Sequence, residues 1–88
     1  MTFDLDRAYR LSPAATLRPE PFGALAYHFG NRRLSFLKSR QLVTVVQLLD
    51  RHDSAADALD TAGVPAEQRA DFAAALAALA ESEVIDAR

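Results

Sequence analysis

The stretch Ala24–Leu37, "ALAYHFGNRRLSFL", decides how the chain is read. Leu25, Tyr27 and Phe29 alternate with Ala24, Ala26 and His28, and a period of two is the mark of a strand with two unlike faces. Gly30-Asn31 is a two-residue hairpin turn signal. Taken literally, that turn sets Phe29 opposite Arg32, Tyr27 opposite Leu34 and Leu25 opposite Phe36. Leu25, Tyr27, Phe29, Leu34 and Phe36 then share one face, and their bulk predicts that this face builds the core. The opposite face carries Ala24, Ala26, His28, Arg33, Ser35 and Leu37 and is lighter, more polar and partly basic.

Before the hairpin, Thr16–Arg18 predicts a strand that ends at "RPEP", because Pro19 and Pro21 each lack a ladder donor. Phe3, Leu5, Tyr9 and Leu11 alternate loosely up to Pro13, as an arm or a short strand. After the hairpin, Ser39 is suited to cap a first helix, in which Leu42, Val45, Val46 and Leu49 form an apolar stripe that Val43 and Leu48 widen. That helix should end near Asp50–His52. Asp53 or Ser54 can cap a short second helix over Ala55–Ala62, stopped at Gly63 in the left-handed conformation. Pro65 suits the first turn of a third helix, and Glu67 and Asp71 complement the positive end of its dipole. Phe72, Leu76, Leu79 and Glu83 fall on one line of that helix, and alanines give the rest a low relief that a partner can approach closely. Val84 and Ile85 should tuck the end back onto the core. Three strands followed by three helices, with a helix–turn–helix around Gly63, make an α+β, winged-helix-like domain with its strands placed first, spanning residues 1–88.

The chain has 88 residues, half of them apolar and a quarter charged, which is globular composition. Its charge is uneven: residues 1–51 carry eight Lys/Arg against four Asp/Glu, and residues 52–88 carry two against eight, leaving −2. An anionic partner should therefore meet the front half. The absence of cysteine excludes disulfides, zinc–thiolate sites, thiol catalysis and an iron–sulfur cluster held by this chain's own thiolates. No basic start leads into an apolar run at the N-terminus, and no apolar stretch approaches the roughly 20 residues of a membrane span, so a soluble cytoplasmic protein without membrane contact is expected.

Catalysis finds little footing. His28 and His52 lie in different segments with no metal-ligand spacing, so His28 reads as a partly exposed strand residue and His52 as a solvated partner of a helix end. Three dispersed glycines make no phosphate loop, and Glu81, Glu83 and Asp86 read as a solvated helix end. Neither an enzyme nor a cofactor is expected. A helix–turn–helix would present its second helix to DNA, but here that helix carries only Arg69 against Glu67, Asp71 and Glu81, whereas counterion release needs several cations. Nucleic acid is therefore not the expected partner. Strand addition by an extended peptide fits better. If Arg32–Leu37 ends the meander, its outer edge is unpaired beside the smooth third helix, and Arg32, Arg33 and Lys38 would favour an acidic peptide. The alternative coverings for that edge are the N-terminal arm and a second copy, which would make a homodimer.

"LRPEPFGALAYHFGNRRLSFLKS", with "LVTVVQLL" after it and "FAAALAALAESEVI" near the end, resembles the peptide chaperone family of mycofactocin biosynthesis and, more distantly, that of pyrroloquinoline-quinone biosynthesis. The resemblance covers nearly the whole chain and is strongest over residues 17–39. It implies a RiPP recognition element, a domain that binds the leader of a ribosomally made precursor peptide as an added strand. It also implies delivery of the mycofactocin precursor to a radical S-adenosylmethionine maturase, which would hold the iron–sulfur clusters. By position, the resemblance places the strand edge at Arg33, Leu34, Ser35, Phe36 and Leu37 and the helix wall at Phe72, Ala75, Leu76 and Leu79; Lys38 flanks the edge. The hairpin register makes Leu37 a sharper peptide contact than Phe36, so Leu37→Asp is expected to weaken leader binding and leave the fold intact. "RPEPFGAL" is expected either to shape the approach to the hairpin or to meet the maturase. A DNA-binding winged helix and a docking subunit that never touches the leader are the alternative readings.

Overall fold

Small residues decide which side of the hairpin meets the helices. The computed structural model describes residues 3–88. Its strands are β1 (Tyr9–Leu11), β2 (Ala15–Glu20), β3 (Gly23–His28), β4 (Leu34–Leu37) and β5 (Ile85–Ala87), and its helices are α1 (Arg40–Leu48), α2 (Ala55–Thr61) and α3 (Arg69–Glu81). Short 3-10 turns follow α1 at Leu49–Arg51 and precede α3 at Ala66–Gln68. Strands β2, β3 and β4 form an antiparallel meander. The expected register is present, with Leu25 opposite Phe36 and Tyr27 opposite Leu34. The faces are reversed. Ala15, Ala24, Ala26, His28 and Leu37 are buried, whereas Phe29, Leu34 and Phe36 are 57%, 58% and 60% exposed. Period-two alternation separates the two faces but does not say which of them the helices cover. The bulk that fills this core comes from the helices, through Leu42, Val45, Val46, Leu49, Leu59, Leu76 and Leu79, and alanines opposite them let helix and sheet approach closely.

The turn differs from the two-residue expectation as well. The His28 N–H donates to the Arg33 carbonyl, and the Arg32 N–H donates back to the His28 carbonyl, so Phe29–Arg32 is a four-residue loop. Arg32 closes it in the left-handed region at φ 61°. The sum of opposed residue numbers is unchanged, which is why the register survives. Nδ1 of His28 accepts from the Gly30 and Asn31 N–H groups at 3.0 and 3.1 Å, making this buried side chain an internal brace for the loop rather than a half-exposed strand residue.

"RPEPFGAL" acquires a structural role. Strand β2 runs through Pro19, and the Phe29 N–H bond to the Ala14 carbonyl sets the ladder phase so that Pro19 falls in a wide pair with Ala24. Its nitrogen therefore faces the open side of an edge strand, where no donor is needed. Gly23 begins β3 at φ 152°, and a Cβ there would stand 2.1 Å from the Leu37 carbonyl oxygen. The junction of β4 with α1 thus rests against a bare backbone.

The helices start and stop largely as their sequences dictate. The Ser39 and Ser54 side chains accept from the Leu42 and Asp57 N–H groups at 3.0 and 3.1 Å, capping α1 and α2. Gly63 follows α2 at φ 75°. Glu83 does not lie on the helical line, because α3 ends at Glu81 and Glu83 turns left-handed at φ 65°. That turn sends Val84 and Ile85 into the core, and β5 pairs with β1 through Tyr9–Ala87, Arg10–Asp86 and Leu11–Ile85. The residues before β1 dock on α2, whose Ala55 and Ala56 N–H groups donate to the Arg7 and Leu5 carbonyls.

The reversal of faces corrects one expected substitution. Leu37 is fully buried, so Leu37→Asp would place an unpaired carboxylate in the core and unfold the protein. In urea unfolding, Leu37→Ala should cost about 2–5 kcal/mol and Phe36→Ala less than about 1 kcal/mol. Equal costs would show that the faces are assigned wrongly.

Candidate functional site

Each residue of β4 points its side chain to one face of the sheet and its peptide groups either to β3 or to the outer edge. The His28–Arg33 bond fixes the ladder phase, so Ser35 and Leu37 exchange hydrogen bonds with β3. The N–H and C=O groups of Leu34 and Phe36 therefore point to the outer edge, and among the described residues no strand pairs there. Beside that edge lies a groove of about 410 Å³, walled on one side by Leu34, Ser35, Phe36 and Lys38 and on the other by Ala75, Ala78 and Leu79 of α3. Leu42 and Ser82 complete it. A recess of about 150 Å³ continues it past Lys38 to Ser39, Asp71 and Phe72. Ala75 and Ala78 of α3 keep that wall of the groove low.

Both ends of the groove are fixed. At one end the Ser39 cap begins α1 directly after β4. At the other, the Asn31 side-chain amide donates to the Ser82 carbonyl at 3.1 Å and to Oε2 of Glu83 at 3.0 Å, while its Oδ1 accepts from the Arg33 N–H at 2.9 Å. This clasp joins the hairpin loop to the C-terminus of α3 and sets the separation of the two walls. Sequence reading took Asn31 for a turn residue only, since nothing local signals a partner so distant in the chain.

Of the residues anticipated for the site, Leu34, Ser35, Phe36, Lys38, Phe72, Ala75 and Leu79 line the groove and its recess. Leu37 and Leu76 do not: both are fully buried in the core. Arg33 is exposed at the hairpin end, outside the lining. Ser39, Leu42, Asp71, Ala78 and Ser82 were missed. Ala78 and Ser82 lie on the same flank of α3 as Ala75, at helical spacings of three and seven, a signal that was available in the sequence.

Other hollows occur among the described residues. One lies between residues 3–7 and Ala73, Ala74 and Ala77 on another flank of α3; another lies near Glu81, Glu83 and Asp86. Neither runs along β4. Among the described residues no group of three or more His, Cys, Asp or Glu could hold a metal ion, and no helix is long and apolar enough to cross a membrane. The single cation of α3, Arg69, is engaged by Asp60, so this helix offers DNA phosphates little.

Asn31→Ala should cost roughly 1–2 kcal/mol and speed amide exchange at Arg33 and Val84. Exchange unchanged at both positions would show that the clasp does not hold the groove end.

The sequence matches the peptide chaperone MftB family over residues 8–86. It is 49% identical over 85 residues to the peptide chaperone MftB of Mycolicibacterium smegmatis, covering 97% of this chain and 83% of that protein. Over 83 residues it is 47% identical to the peptide chaperones MftB of Mycobacterium ulcerans and of Mycobacterium tuberculosis, covering 94% of this chain and 76% of each of them. No solved structure matches the chain.

Proposed function

The chain belongs to the peptide chaperone MftB family, and from that premise we propose that it binds the leader of the mycofactocin precursor peptide by strand addition along β4 and presents it to a radical S-adenosylmethionine maturase in the cytoplasm. The role is binding and delivery, not catalysis. The observation that carries this reading is the open edge of Leu34 and Phe36 beside a groove walled by alanines. An added strand satisfies the outward N–H and C=O groups, which supplies affinity that does not depend on sequence. Side chains entering the groove against Ala75, Ala78 and Leu79 supply selectivity. Arg32, Arg33 and Lys38 flank the edge and favour acidic residues at the ends of the bound segment, although Asp71 and Glu83 temper that field.

A second reading, docking to the maturase without leader contact, draws on the exposed outer face of the sheet, where Phe22 and Phe36 stand 6.0 Å apart and Tyr27 meets Phe29 edge-on at 5.3 Å. Titration of isotope-labelled protein with the precursor peptide alone, followed by NMR, separates the two. Saturable amide shifts at Leu34–Lys38 and Phe72–Leu79 are expected. Shifts that arise only when the maturase is added, and cluster at Phe22, Tyr27 and Phe29, would overturn leader capture.

Two substitutions test the site itself. Ala78→Trp fills the groove from an exposed helical position, so leader affinity should fall about tenfold or more while the thermal midpoint changes little. Arg33→Glu should weaken binding more at low than at high salt, because exposed charges are screened. A loss independent of salt would mean that Arg33 acts by packing.

A further inference from the structure

The sheet leaves its bulkiest side chains in water. Leu34 and Phe36 are the exposed large apolar residues of β4. Both stand on the outer face, away from the helices, and Phe22 leans on Phe36 from the β2–β3 turn. The same two residues turn their peptide groups to the open edge, so they are the positions with which an incoming strand forms hydrogen-bonded pairs. Pairing by hydrogen bonds also fixes side-chain direction. A residue opposite Leu34 or Phe36 must point to the same face as they do, with Cβ atoms about 5 Å apart. The residue between, opposite Ser35, must point the other way, into the groove over Ala75 and Ala78.

Resting on the leader-binding reading above, we propose that the peptide is recognised on both of its faces, through three consecutive apolar residues rather than an alternating pattern. The central one is large and enters the groove, where Ser35, Ala75 and Ala78 leave space. Its two neighbours lie on the outer face against Leu34 and Phe36 and cover apolar surface that otherwise meets water. Branched or aromatic side chains suit both outer positions, because they pack best across strands. A segment with apolar residues only at every second position would satisfy the groove and leave Leu34 and Phe36 uncovered. One with polar neighbours would add no area to them.

A serine scan of the synthetic precursor leader, titrated calorimetrically against the intact protein, tests this. Serine at three adjacent positions should weaken binding, about tenfold at the middle one and roughly 2- to 5-fold at each neighbour. Against Leu34→Ser and Phe36→Ser, exposed positions whose change spares the core, the penalties at the two neighbours should shrink towards none while the middle penalty persists. Against Ala78→Trp the middle penalty should shrink instead. Sensitivity at every second position only, or neighbour penalties unchanged in Leu34→Ser and Phe36→Ser, would overturn two-faced recognition and leave strand addition standing. Absence of binding by the unmodified leader would overturn the leader-binding reading itself.

Discussion

Everything in this structure depends on how closely the sheet and helices approach one another. Ala15, Ala24 and Ala26 form the side of the sheet that the helices cover, and Gly23 removes the Cβ that would strike the Leu37 carbonyl. With the inner face so shallow, leucines and valines from the helices fill the core. The larger side chains of the hairpin are then forced outward. Leu37 is the exception on the inner face: it is the last residue of β4 and fills the corner where the strand turns into α1. Reversing the sheet would put Tyr27, Leu34 and Phe36 where α1 and α3 now lie and would push the helices away.

Much of this was legible because the underlying rules are local. Ser39, Ser54 and Gly63 mark helix ends through their own backbone chemistry, and the 3.5-residue rhythm of Leu42, Val45, Val46 and Leu49 identifies a helix without any knowledge of its partner. The hairpin register was legible too, since Tyr27 opposite Leu34 follows from where the turn sits. The choice of buried face was not. It depends on volumes supplied by other segments, and the usual assumption that bulk goes inward fails where those segments already fill the core. The β1–β5 pair and the Asn31 clasp escaped for a related reason: both join residues far apart in sequence, and neither partner carries a local sign of the other.

The candidate site inherits this mixture. Its strand edge was located because an unpaired final strand follows from the order of elements, and its helical wall because alanines at α3 announce a low surface. Which side chains line it could not be read until the faces were fixed, and so Leu37 and Phe36 exchange roles. The groove is thus tied to the core: the small inner face that α1 packs against also decides that Leu34 and Phe36 stand at the rim.

The pairing of β1 with β5 joins the two ends of the described chain, with the Arg88 N–H donating to the Ala8 carbonyl at 2.9 Å. Opening one strand of this pair therefore removes hydrogen-bond partners from the other. Freeing Tyr9–Leu11 leaves Ile85–Ala87 without a ladder, and Val84 next to it loses the Ser12 N–H that its carbonyl accepts. Residues 82–83, which hold Asn31, are the next in line. The terminal ladder is thus joined to the end of the groove through Val84 and residues 82–83, so a peptide bound at β4 would be felt at strands that it never touches.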